Sequence, residues 1–127
     1  MGLDMYLIKR KKGEANWEKA TDIGYWRKAN QVMGFFEREL DGLEDCETKV
    51  VSKDILEKLN DLCIELLIHH DADECAERLP TTEGFFYGSQ AYNDSYWYDL
   101  ILTVNILYDA LKHTDFDNEE VGFYAWW

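Results

Sequence analysis

The stretch SKDILEKLNDLCIELLIHH, residues 52–70, decides how the rest of the chain is read. Ile55/Leu56, Leu59, Leu62/Cys63 and Leu66/Leu67 recur every three or four positions, which lines up one apolar face on a helix of 3.6 residues per turn. Ser52 stands just before this run, where its hydroxyl can accept from an orphan backbone N–H, and Asp54 sets a negative charge against the positive end of the helix dipole. The far side of the same helix carries Glu57, Lys58, Asp61 and Glu65. A helix with one apolar face needs another layer to bury it, so the flanking segments must supply that layer.

Toward the N-terminus, Leu3 to Ile8 is a short apolar run between Gly2 and the basic cluster Lys9-Arg10-Lys11-Lys12, and it reads as a strand followed by a loop from Gly13 to Thr21. From Gly24 onward the period becomes helical, with Trp26, Ala29, Val32/Met33, Phe36 and Leu40 on one face until Gly42. Val50-Val51 forms a very short strand. Beyond the central helix, a second short helix is expected over Asp73 to Leu79, closed by Pro80. Gly84 and Gly88 bracket an extended Phe85-Phe86-Tyr87, and Asn93 or Asp94 caps a helix running to about His113. On that helix Trp97, Leu100/Ile101, Val104, Leu107/Tyr108 and Leu111 keep the helical spacing. Val121 to Trp127 alternates aromatic with small residues and reads as a last strand pairing with the first. The fold class is therefore α+β, a single domain over residues 1–127 with three main helices packed on a small, mostly antiparallel sheet.

Composition narrows the function. The chain is 46% hydrophobic and 15% aromatic, enough for a real core. No apolar run approaches the roughly 20 residues that span a bilayer, and the three cysteines form no CxxC pair, so a reduced, cytoplasmic protein without membrane association is expected. Net charge is −13 and unevenly placed: residues 1–36 hold seven Lys/Arg and four Asp/Glu, whereas residues 37–127 hold six and twenty-two. Such a field repels nucleic acid, whose binding is dominated by cations meeting phosphates, and attracts a basic partner instead. The exposed-face carboxylates Asp54, Glu57, Asp61 and Glu65 form the acidic surface that such a partner would meet.

No phosphate loop, dinucleotide fingerprint, HExxH or GxSxG occurs, so no catalytic residue is assigned and a non-enzymatic role is favoured. His69, His70, Asp73 and Cys75 are metal-ligand types within one short segment, but they lack the second, separated ligand pair that zinc sites use, so no metal or other cofactor is assigned. The remaining constellation embeds polar groups among aromatics. On helical spacing Arg27 and Asn30 lie one turn apart beside Trp26, facing Tyr87, Ser89, Tyr92 and Tyr96 of the segment GFFYGSQAYNDSYWYD, residues 84–99. These side chains suit either a pocket for a planar ligand or the pinning of a loop against the core. Phe85, Phe86 and Trp97 are expected to be largely buried, and Tyr87, Tyr92 and Tyr96 partly exposed.

MGLDMYL at the start, YWRKANQ, VSKDILEKL, LPTTEGFFYGS and the aromatic last strand, in that order over nearly the whole chain, resemble a family of small proteins encoded by bacteriophages and other mobile elements. No activity, and hence no catalytic residue, carries over. The resemblance implies a context in which small acidic proteins bind and block host machinery, defence nucleases included, inside the host cell. The expected function is thus a protein that binds a host protein through its acidic surface. The alternatives are a small-molecule binder using the aromatic, Arg and Asn constellation, and a metal-dependent enzyme.

Overall fold

The computed structural model describes residues 2–84 and 87–127, so the expectations for Phe85 and Phe86 lie outside the described residues. Alternation governs the first strand, β1 (Asp4–Lys11): Met5 and Leu7 point inward with Leu3 just ahead of them, while Asp4 and Tyr6 point out. β2 (Thr21–Arg27) pairs antiparallel with β1, with a register irregularity between Leu7 and Ile8. It corrects the helix expected from Gly24. Trp26 is an inward strand residue that stands three positions before Ala29, and this accident of spacing imitates the next turn of a helix. The chain then turns sharply at Lys28, which takes a left-handed conformation (φ 57°).

α1 (Asn30–Glu39) follows, with every residue from Asn30 to Phe36 buried. The Lys49 ammonium donates to the Leu40 and Gly42 carbonyls beyond its end, at 3.0 and 2.7 Å, where a cation meets the negative end of the helix. β3 (Lys49–Val51) is the expected short strand. In α2 (Lys53–His69) the Ser52 hydroxyl accepts from the Ile55 N–H at 3.3 Å, and Leu56, Leu59, Cys63 and Leu66 make the buried stripe. α3 (Ala72–Arg78) is capped by Asp71, and α4 (Asp94–His113) by Asn93. β4 (Glu119–Trp126) closes the sheet in the order β2-β1-β4-β3, with every pairing antiparallel. The fold is α+β, with the last strand paired to the first along its full length as expected.

The sheet's inner face and the helices share one core. Phe36 of α1 stacks on Phe123 of β4 at 4.2 Å, and Trp26 meets both edge-on. The Trp26 indole N–H donates to the Thr103 hydroxyl on α4 at 2.9 Å, and that hydroxyl donates in turn to the Asp99 carbonyl at 2.6 Å. One buried indole therefore ties the sheet to α4. The buried stripe of α4 is Tyr96, Leu100, Thr103, Leu107 and Ala110, rotated from the expected one. Trp97 is correspondingly half-buried rather than core, and its ring stacks on His70 at 4.1 Å. Among the described residues no helix is long and apolar enough to cross a membrane.

Candidate functional site

Two places hold the residues singled out from the sequence: a cleft beside α1, and the outer surface of α2 and α4. The cleft, about 490 Å³, lies between the β2–α1 turn, the 88–95 loop and the first turns of α4. Arg27, Ser89 and Tyr96 line it, together with Lys28, Gln31 and Asp99. Trp26, Asn30, Tyr87 and Tyr92 do not.

The reason is the break between β2 and α1. Arg27 ends a strand and Asn30 begins a helix, so the two do not share a helical face as their spacing suggested. The Arg27 guanidinium instead meets the Asp4 carboxylate at 3.0 Å, and the Tyr25 hydroxyl donates to that same oxygen at 2.5 Å. The hydrogen bond to Asp4 holds the Tyr25 phenol above its ordinary range. Asn30 is buried, and its amide donates to the Tyr87 and Ser89 carbonyls at 3.1 and 2.8 Å while its oxygen accepts from the Thr82 N–H at 3.0 Å. All three bonds fasten Thr82, Tyr87 and Ser89 to α1, which is a structural use of an amide that can donate and accept at once.

The tyrosines divide differently from expectation. Tyr87 and Tyr96 are 6% and 3% exposed, not partly exposed, because the Tyr96 hydroxyl finds the Leu79 carbonyl at 2.8 Å and the ring fills the space under α3. Burial pushes the Tyr87 phenol up to about 12 and the Tyr96 phenol higher still. Tyr92 is half-buried as expected, its oxygen accepting from the Thr81 N–H at 3.1 Å. At the floor of the cleft, Gln31 donates to an Asp99 carboxylate oxygen and to the Tyr96 carbonyl, both at 3.3 Å. Burial raises the Asp99 carboxyl to about 6 against the pull of that hydrogen bond.

The weak metal candidates point in separate directions. His69 turns to the Glu74 carboxylate at 2.8 Å, a bond that helps hold Glu74 below its ordinary range, while His70 covers Trp97. Cys75 is buried, where loss of solvent raises its thiol, and Asp73 stands exposed in the first turn of α3. Among the described residues no three His, Cys, Asp or Glu side chains converge to hold a metal ion.

The acidic row keeps its expected place. Asp54, Glu57, Asp61 and Glu65 are all exposed on one side of α2. Glu65 pairs with Arg78 at 2.7 Å, but Asp54, Glu57 and Asp61 have no cation within ion-pair distance among the described residues. Beside them stand Ile64 and Ile68 of α2, 37% and 74% exposed, which the sequence left unmarked, and Ile101 and Tyr108 of α4, expected on the apolar stripe but 50% and 59% exposed because that stripe is rotated. The signal was present, since positions 64 and 68 are one turn apart and both off the buried stripe. Lys28, Gln31 and Asp99 gave no such signal, because what brings them together is the strand-to-helix turn. Compared with family models, curated proteins and solved structures, the chain matches none.

Proposed function

We propose that the chain is a small acidic binding protein which blocks a host protein by occupying a basic surface that otherwise faces nucleic acid, such as that of a defence enzyme. The observation that carries this reading is the row Asp54, Glu57, Asp61 and Glu65, exposed on one side of one helix, of which only Glu65 has an ion-pair partner among the described residues. Over eleven residues the row extends roughly 16 Å, at 1.5 Å per residue. Its field, added to the net charge of −13, would steer a basic partner and repel nucleic acid itself. The resemblance to phage and mobile-element proteins supports the context, a protein acting in the cytoplasm of a bacterial host.

The test is capture from bacterial lysate at low salt, followed by mass spectrometry. A nucleic-acid-binding protein should be recovered, should be released as salt rises, and should be lost with the variant Asp54→Asn/Glu57→Gln/Asp61→Asn/Glu65→Gln. Equal recovery by that variant, or recovery of no nucleic-acid-binding protein, contradicts the reading.

A second reading attaches to the cleft, where Arg27, Lys28, Gln31 and Asp99 set charged and polar groups around one concave space beside Tyr96. It predicts that a planar, polar small molecule binds there and that Arg27→Ala removes binding without unfolding the protein. Chemical-shift mapping with a panel of nucleosides and nucleotides tests it, and unmoved signals over residues 27–31 and 88–99 reject it.

A further inference from the structure

The surface between α2 and α4 has a directional pattern. The two helices run antiparallel, since His70 after the end of α2 stacks on Trp97 near the start of α4, while Lys53 at the start of α2 lies 5.9 Å from the ring of Phe116 beyond the end of α4. On α2, Glu57, Asp61, Ile64 and Ile68 follow one another at four, three and four residues, which makes a single stripe, acidic in its first half and apolar in its second. Glu57, Ile64 and Ile68 fall on the α4 side of the helix crest, since Lys58 with Glu39 and Glu65 with Arg78 pair on the other side, while Asp61 stands on the crest and also lines the space shared with Lys58, Glu65 and Arg78. On α4, Trp97, Ile101, Val104 and Tyr108 repeat at the same spacing, on the shoulder that His70 reaches and away from Gln31, which meets Asp99 on the other side. The seam therefore has an apolar end around Ile64, Ile68 and Ile101; at its other, acidic end stand Glu57 and, on the adjoining crest, Asp61, with Lys112 of α4 held over the Tyr108 ring at 5.5 Å and not in an ion pair with them.

The geometry points to this seam as the docking groove for an amphipathic helix of a basic protein, with aliphatic side chains against Ile64, Ile68 and Ile101 and Lys or Arg against Glu57 and Asp61. Two helices side by side leave a groove that a third fills by interleaving side-chain ridges, and helix-in-groove recognition reads apolar anchors one turn apart. Charge complementarity selects the occupant: the carboxylates at the acidic end have no cation of their own among the described residues, and a second copy of this acidic chain would add like charge. The inference rests on the reading that this surface meets a basic partner, and it adds that apolar anchoring, not charge alone, determines which basic partner binds. Four carboxylates in roughly 16 Å are far sparser than the one charge per ~1.7 Å of a duplex, so charge alone imitates nucleic acid poorly.

The probes are three labelled peptides of about 18 residues, long enough to form a helix: an amphipathic Leu/Lys peptide, its scrambled isomer, and oligolysine. Fluorescence polarisation at low and high salt should show the amphipathic peptide binding about tenfold tighter than the scrambled one. Ile68→Ser/Ile101→Ser should abolish that difference, while Glu57→Gln/Asp61→Asn should weaken all three peptides and flatten the salt dependence. If scrambled and amphipathic peptides bind alike, or the Ile variant keeps the difference, the groove is overturned and the acidic-surface reading stands alone. If the charge variant binds every peptide as the unaltered protein does, the acidic-surface reading fails as well. Sedimentation that shows a dimer dispersed by Ile101→Ser would assign the seam to a second copy and also overturn the proposal.

Discussion

The outer face of the sheet and the seam between α2 and α4 both show large side chains to water, yet on the sheet most of them, Trp126 at 51% exposure apart, are satisfied by one another. On the sheet, Tyr6 lies between Tyr25 and Tyr124, with ring centroids 5.1 and 4.8 Å away, so its two faces are already occupied. Asp4 is held by the Tyr25 hydroxyl and the Arg27 guanidinium. Arg10 lies between the Glu120 carboxylate at 2.8 Å and the Trp17 ring at 3.7 Å. An aromatic row of this kind stabilises its own strands and offers few free ring faces of the sort that stack nucleic-acid bases. On the helical seam the isoleucines face water, and Glu57 and Asp61 have no cation within ion-pair distance among the described residues. Exposure of large side chains is thus a poor guide to a binding surface. The better guide is what their contacts leave unsatisfied.

That contrast can be broken by substitution. Trp26 ties the sheet to α4 through Thr103, so Trp26→Ala should destabilise both regions together, by roughly 3–5 kcal/mol in urea unfolding. A loss under 1 kcal/mol would mean that the sheet and α4 stand independently of the indole.

Asp99 lies on the shoulder of α4 opposite the seam, and burial raises its carboxyl from 3.8 to about 6. The folded state therefore holds this proton more tightly than the unfolded chain, so stability is full below about pH 4 and falls as pH rises through about 6. The loss is about 2 kcal/mol, at 1.36 kcal/mol per unit and discounted for partial exposure. Asp99→Asn should remove that fall, leaving the variant more stable at pH 8 and equal at pH 4. Parallel pH profiles for the two proteins would refute the assignment.

Smaller effects separate the two surfaces. Tyr6→Ala removes two ring contacts and should cost about 1–2 kcal/mol while leaving partner binding unchanged. Ile68→Ser/Ile101→Ser should change stability by no more than about 0.5 kcal/mol, the ordinary scale for surface positions, yet it should lower partner affinity. Thermal unfolding run beside a binding assay checks both. If the tyrosine variant lost binding and the isoleucine variant lost only stability, the roles of the two surfaces would be reversed.

What could be read from the sequence follows from how local each signal is. α2 was legible because its cap, its apolar stripe and its acidic row all lie within nineteen residues. The pairing of β4 with β1 was legible because each contains a short apolar run, although both strands extend past it, β1 through Lys9-Arg10-Lys11 and β4 back to Glu119, where charged side chains pair across the ladder. β2 was not, since Trp26 continues the spacing of α1 by coincidence and nothing local marks the left-handed turn at Lys28. The site residues fared by the same rule. The acidic row keeps to one element, so its exposed place on α2 could be read from spacing alone. The Arg27–Asn30 pair crosses an element boundary, and the two side chains part company there. Tyr87 and Tyr96 were misplaced because their burial depends on contacts from elsewhere in the fold: the loop fastened by Asn30 for Tyr87, and the Leu79 carbonyl for Tyr96.

The central proposal is that the partner meets the helical face of α2 and α4. Hydrogen exchange on the protein alone and in complex with a partner captured from bacterial lysate tests it most directly. Added protection is expected over residues 53–69 and 94–113, lost at high salt, with β1, β2 and β4 unchanged. Protection confined to the sheet, or to the 88–95 loop beside the cleft, would contradict it.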